Sequence, residues 1–105
     1  MNTQTIRILF AALALCCAPI TSADIFDDAV NNASRPMPDH ARDESFKPAA
    51  VLRFSGIKPG DTALDMFAGG GYFSELLSSV VGESGKVYMQ NNGAYLSFSS
   101  DAIEA

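Results

Sequence analysis

Cysteine and basic residues are both scarce in this 105-residue chain, whose length allows one domain at most. Its two cysteines, Cys16 and Cys17, lie within the first 23 residues, so the rest of the chain can form neither a disulfide framework nor a thiolate metal site. Seven basic residues stand against twelve acidic ones. That balance gives no support to nucleic-acid binding. The single histidine, His40, lies in a proline-rich stretch and is interpreted as a solvated loop residue, and we expect no metal site.

The first 23 residues predict a secretory signal peptide. Arg7 supplies a positive charge, residues 8–18 form an 11-residue apolar run, and the small residues 21–23 precede Asp24. The run is too short to cross a bilayer, which takes about 20 apolar residues. We therefore expect a mature protein that begins at Asp24, has no stable membrane anchor, and is periplasmic or secreted. An uncleaved anchor and lipid attachment at Cys17 are the weaker alternatives.

Residues 24–56 predict short helices joined by a linker. An apolar spacing typical of a helix covers residues 24–34, with acids near its start. The two prolines of residues 35–43 disfavour helix, so this stretch is interpreted as a linker. A second helix is expected from Glu44, with Pro48 in its first turn and Gly56 at its end.

Residues 57–105 predict the first part of an α/β domain. A buried, parallel-type strand is expected at residues 62–67, a glycine loop at 68–71, an amphipathic helix at 72–81 and a second strand at 86–90. Strand, loop, helix and strand in this order make one right-handed βαβ unit. Residues 94–105 have a weaker helical pattern because they contain three serines.

Glycines between a strand end and a helix start favour a nucleotide-like ligand. Without a Cβ they let a ligand approach the backbone, and the free N–H groups of the helix start point toward it. The dinucleotide pattern G-x-G-x-x-G fits poorly, since Gly69 and Gly71 match but Ser74 occupies the third position. An acid is also missing about 20 residues on, where such proteins bind the ribose.

A family resemblance rests on residues 64–72, which read LDMFAGGGY. This stretch resembles the first motif of class I S-adenosylmethionine-dependent methyltransferases. Residues 47–52, 56–61 and 85–88 extend the likeness to a branch of predicted exported methyltransferases, over roughly residues 35 to 95. The resemblance implies a Rossmann-like doubly wound parallel sheet and S-adenosylmethionine as the cofactor.

The resemblance also implies a set of cofactor-binding residues. Asp65 would orient the glycine loop and the methionyl amino group, and the backbone at Gly69 and Gly71 would approach the cofactor. Where the family usually has an acid that holds the ribose hydroxyls, this chain has Gln90 and Asn91, whose amides both donate and accept. The full set is Asp65, Phe67, Ala68, Gly69, Gly70, Gly71, Gln90 and Asn91. Asp65 has a structural alternative, in which its carboxylate caps the N–H groups of the loop.

Only the first βαβ unit of such a fold is expected here. In the family, substrate-facing groups come largely after the fourth strand, so the chain is interpreted as a truncated methyltransferase whose catalytic residues and methyl acceptor are unknown. Two alternatives stay open. One is a small secreted, non-catalytic module in which the glycine loop is only structural, and the other is a different nucleotide-binding Rossmann fragment.

Overall fold

The computed structural model describes residues 24–104, so the predicted signal peptide and its cleavage site lie outside the described residues. Within that range no helix has both the length and the apolar character that a membrane span requires. The helices and strands follow one another in the order α1 (Ile25–Val30), α2 (Met37–His40), α3 (Asp43–Phe46), α4 (Pro48–Ser55), β1 (Thr62–Met66), α5 (Tyr72–Val81), β2 (Lys86–Gln90) and α6 (Gly93–Glu104).

The N-terminal helices are shorter and more numerous than the sequence pattern predicts. The carboxylate of Asp24 caps α1 by accepting the backbone N–H of Phe26 at 3.0 Å, and the helix ends at Val30. The predicted linker at residues 35–43 is wrong in part, because it contains α2. Pro36 precedes α2 and Pro38 lies within its first turn, where a missing N–H removes no helical hydrogen bond.

The helix predicted from Glu44 is divided into α3 and α4. Lys47 separates them with a left-handed backbone, φ +48°, and Pro48 follows as the first residue of α4. A residue before proline is disfavoured in the right-handed helical region, which accounts for the break. Gly56, at φ +69°, ends α4 as predicted.

The predicted βαβ unit is confirmed. Strands β1 and β2 are parallel, with Asp65 paired to Met89, and α5 connects them. The bounds of α5 and β2 agree with those predicted, whereas β1 is one residue shorter because Phe67 has a positive φ of 55° and leaves the strand. The described part of the chain is therefore α/β, with a small two-stranded parallel sheet.

The prediction that the first strand is buried is wrong. Half-buried Ala63 and Asp65 alternate along β1 with exposed residues, and Leu64 and Met66 are 58% and 62% exposed. Side chains alternate between the two faces of a strand, and α5 packs on β1 and β2 from one side. Parallel sheets normally have both faces covered, and in the described residues the second face of β1 is open.

One hydrophobic core joins the N-terminal helices to the βαβ unit. Its buried members are Ala29 from α1, Leu52 from α4, and Tyr72, Leu76 and Val80 from α5. The α1 helix packs against both α4 and α5. The helices of residues 24–56 are therefore part of the same packed body as the glycine loop.

A partly buried ion pair attaches the segment around α2 and α3 to the first residue of α5. The fully buried side chain of Arg35 makes two 2.9 Å hydrogen bonds to the carboxylate of Asp43, and it also donates to the carbonyl of Val30 at 2.6 Å. The Tyr72 hydroxyl donates to Asp43 Oδ1 at 2.5 Å. We call these three side chains, Arg35, Asp43 and Tyr72, the anchor.

The anchor perturbs the acidity of its members. The hydrogen bonds from Arg35 hold the pKa of Asp43 below its usual range, while burial and the bond to Asp43 raise the pKa of Tyr72 to about 12. His40 is the last residue of α2 rather than a loop residue, and its Nδ1 lies 3.4 Å from Asp43 Oδ2.

Candidate cofactor site

The glycine loop turns sharply at the carboxyl end of β1. Two of its residues, Gly69 at 59° and Gly71 at 93°, have positive φ angles, as does Phe67 just before it, at 55°. A Cβ added at Gly69 would meet nothing within 4 Å, whereas one at Gly71 would lie 3.1 Å from the Met89 side chain. Glycine is suited to this conformation, but Phe67 is a bulky residue in it, a strained arrangement that the surrounding contacts must maintain.

Two amide side chains at the end of β2 hold the loop in place. Asn91 Oδ1 accepts the N–H of Gly69 at 2.8 Å, and Asn91 Nδ2 donates to the Gly69 carbonyl at 3.2 Å. Gln90 Oε1 accepts the N–H of Phe67 at 3.3 Å, and the Gln90 backbone carbonyl accepts that of Ala68 at 3.1 Å. We call the side chains of Gln90 and Asn91 the amide clamp. The residues predicted to bind the ribose thus bind the loop itself.

Asp65 is half-buried and bonded to the helix that follows the loop. Its Oδ2 accepts the hydroxyl of Ser74 at 2.6 Å, and Ser74 is buried on α5. The alternative role, in which Asp65 caps the loop, is filled by other groups, because the N–H groups of Phe67, Ala68 and Gly69 go to Gln90 and Asn91. Asp65 Oδ1 takes no part in the bond to Ser74.

A cavity of about 450 Å³ lies against the loop. This volume is within the range of small-molecule sites. Five of the eight predicted residues line it, namely Asp65, Phe67, Ala68, Gly69 and Gly70. Gly71 lines a separate cavity of about 370 Å³ together with Gly70 and Met89. Gln90 and Asn91 do not line the cavity, but they hold the loop that lines it.

The sequence analysis missed the residues that complete this cavity. They come from the N-terminal segment, from the end of β1, from the start of α5 and from α6, and they are Arg42, Phe46, Met66, Tyr72, Phe73, Phe98 and Ser99. The Arg42 guanidinium lies 4.8 Å from the centre of the Tyr72 ring and 5.5 Å from that of Phe46. The available sequence signal was the spacing of Arg42 from Asp39, its ion-pair partner, and that spacing does not show which cavity the arginine lines.

Comparison of the chain with protein-family models, with curated proteins and with solved structures gives no match. Among the side chains that the structure describes, those of residues 24–99, no three histidine, cysteine, aspartate or glutamate residues lie in an arrangement that could hold a metal ion.

Proposed function

We propose that this protein binds S-adenosylmethionine and is the cofactor-binding part of an exported class I methyltransferase, with its βαβ unit as the first part of a Rossmann-like doubly wound sheet. One observation carries the proposal. A glycine loop between a parallel strand and a helix lines a cavity of ligand size together with Asp65, the carboxylate near the end of that strand. Ligands of open α/β sheets bind at the carboxyl ends of the strands.

The residues present suit this cofactor. The methionyl end of S-adenosylmethionine carries an ammonium group, which matches the carboxylate of Asp65. The open space beside Gly69 lets the ligand approach the backbone. Phe67 and Phe73 add aromatic rings to the wall of the cavity.

The bound cofactor supplies an activated methyl group on a sulfonium centre. This chain's own contribution is binding and orientation. Asp65, itself fixed by Ser74, would hold the amino group, and the amide clamp fixes the loop that would contact the rest of the cofactor. The proposal assigns no residue of this chain to the methyl acceptor.

A second candidate function is a secreted, non-catalytic module with a structural glycine loop. The amide clamp favours it, because Gln90 and Asn91 already bond the N–H groups of Phe67 and Gly69 that a ligand would otherwise use. A loop that satisfies its own backbone groups needs no ligand to be stable.

Two glycines offer a matched test of these candidates. Gly69 and Gly56 have similar φ angles of 59° and 69°, and at both an added Cβ would meet no atom within 4 Å. Alanine at either position therefore carries a similar backbone penalty of about 1 to 2 kcal/mol. Gly69 lines the cavity, whereas Gly56 ends α4 and does not line it.

The measurement is calorimetric titration of the protein and its Gly69→Ala and Gly56→Ala variants with S-adenosylhomocysteine, with circular dichroism to verify folding. We expect micromolar-range binding by the wild type and by Gly56→Ala, and at least a tenfold loss in Gly69→Ala, since the new methyl group occupies ligand space. Equal affinity in both folded variants would refute the proposed site. No binding by the folded wild type would favour the structural module.

A further inference from the structure

The cavity beside the glycine loop contains one positive and one negative side chain. Among its described lining residues, Arg42 and Asp65 are the two that carry charge, and most of the others are aromatic or glycine. A cavity with one guanidinium and one carboxylate is complementary to a ligand group that carries both an ammonium and a carboxylate.

Arg42 is held at this cavity by contacts distant from it in sequence. The anchor joins Asp43, the neighbour of Arg42, to the buried Arg35 and to Tyr72 at the start of α5. The Arg42 guanidinium packs on the rings of Tyr72 and Phe46, which line the same cavity. These contacts limit the positions that the arginine can adopt, which favours ligand binding over a freely moving surface charge.

The Arg42 guanidinium also has N–H donors beyond its ion pair with Asp39. Its ion pair with Asp39 is made through Nη2, and an arginine carries five N–H donors in all. Its side chain is 47% exposed, so a ligand in the cavity can reach it. Two parallel N–H donors on one guanidinium match the two oxygens of a carboxylate.

We infer that Arg42 binds the carboxylate of an amino-acid group on the ligand, whose ammonium pairs with Asp65. The inference rests on the proposed function, under which this group is the methionyl end of S-adenosylmethionine. It assigns a ligand-binding role to the segment that precedes the βαβ unit. It also predicts that the protein distinguishes nucleosides with an amino-acid tail from those without one.

Two nucleosides that differ in this tail provide the test. S-adenosylhomocysteine has the amino-acid group, and 5′-methylthioadenosine ends at a methylated sulfur. Each is titrated calorimetrically into the wild type, Arg42→Gln and Arg42→Lys, with Lys58→Gln as the control that removes one positive charge. Lys58 is a largely exposed residue outside the cavity. Circular dichroism checks that each variant folds.

We expect Arg42→Gln to bind S-adenosylhomocysteine about tenfold more weakly, as expected for a lost bond to a charged group, and 5′-methylthioadenosine within twofold of the wild type. Arg42→Lys should fall between, and Lys58→Gln should match the wild type. An equal loss for both nucleosides would show that Arg42 only supports the wall, which overturns the inference and leaves the cofactor site standing. Wild-type binding of both nucleosides with equal affinity would do the same. A wild type that binds neither would overturn the proposed function as well.

Discussion

Replacing Asn91 by aspartate separates two roles for this side chain. If Asn91 bound the ribose, as an acid does in the methyltransferases that the sequence resembles, a carboxylate should bind the ligand at least as well as the amide. The structure instead has Asn91 Nδ2 donating to the Gly69 carbonyl at 3.2 Å. A carboxylate has no proton for this bond and places a negative oxygen beside the carbonyl oxygen.

The expected loss of stability follows from the two hydrogen bonds between Asn91 and Gly69. The bond from Gly69 N to Oδ1, at 2.8 Å, survives the change, and the bond from Nδ2 is replaced by repulsion. We expect Asn91→Asp to lower the free energy of unfolding by about 1 to 2 kcal/mol. For a domain of this size, that corresponds to a fall in melting temperature of about 4 to 16 °C.

The neighbouring residue gives the matched control. Asn92 immediately precedes α6, and its Oδ1 accepts the N–H of Tyr95 at 2.9 Å, an arrangement typical of a helix N-cap. Aspartate caps a helix as well as asparagine, and its charge is favoured at a helix start. Asn92→Asp should therefore leave stability unchanged or raise it slightly, although the chemical change is the same.

The loss of stability in Asn91→Asp should depend on pH. Repulsion from the Gly69 carbonyl disfavours the charged form of the introduced carboxyl and raises its pKa above the value in the unfolded chain. The penalty is therefore present at neutral pH and shrinks as the pH falls through that pKa, because the protonated carboxyl can donate. Urea denaturation of both variants and the wild type at pH 7 and pH 4 measures this. Equal stability of Asn91→Asp and the wild type, or tighter nucleoside binding by that variant, would refute the clamp.

Two further predictions concern stability. Asp43→Asn leaves the buried Arg35 without its counter-charge and should cost about 3 to 5 kcal/mol in urea denaturation. Because the pKa of Asp43 is lowered, its contribution in the wild type is present at neutral pH and is lost as the pH falls through that lowered value, which a stability profile between pH 6 and pH 2 will show. Gly85→Ala would place a Cβ 2.4 Å from Val81 Cβ and 2.7 Å from the Asp61 carbonyl, so we expect a loss of about 1 to 3 kcal/mol.

Each of these variants has a control in the same chain. Asp27→Asn removes a carboxylate from an exposed ion pair with Arg53 and should change stability little. Gly93→Ala introduces a methyl group with no atom within 4 Å and should be neutral or slightly stabilising. If either pair of variant and control behaved alike, the packing described at Arg35 or at Gly85 would be incorrect.

Local signals explain which parts of the fold could be predicted. The apolar pairs of residues 72–81 and the glycine after them determine the helix α5, and the short run of residues 86–90 determines β2. The linker predicted at residues 35–43 is wrong in part because Pro36 and Pro38 start a helical turn there instead of preventing one. The buried first strand was inferred from its apolar run, but burial depends on what covers each face, which the run does not contain.

The candidate site, too, could be predicted only in part. The glycine loop and Asp65 carry a sequence motif, and the structure brings them together at one cavity. Arg42 carries none, because its position depends on an ion pair between Arg35 and Asp43 and on a tyrosine 29 residues beyond Asp43. The bonds of Asn91 to Gly69 likewise span 22 residues and form only when the two strands are in register.

The shared core determines how this protein can be divided. From the sequence we expect a boundary near residue 57, between the N-terminal helices and the region that resembles a methyltransferase. In the structure, a cut there would remove Ala29 and Leu52 from the core around Leu76, and with them Arg42 from the cavity wall. We expect a fragment that starts at residue 57 to aggregate or to be degraded rapidly during expression, whereas one that starts at Asp24 keeps the whole packed body. Soluble, folded material from the shorter fragment would show that the helices are dispensable.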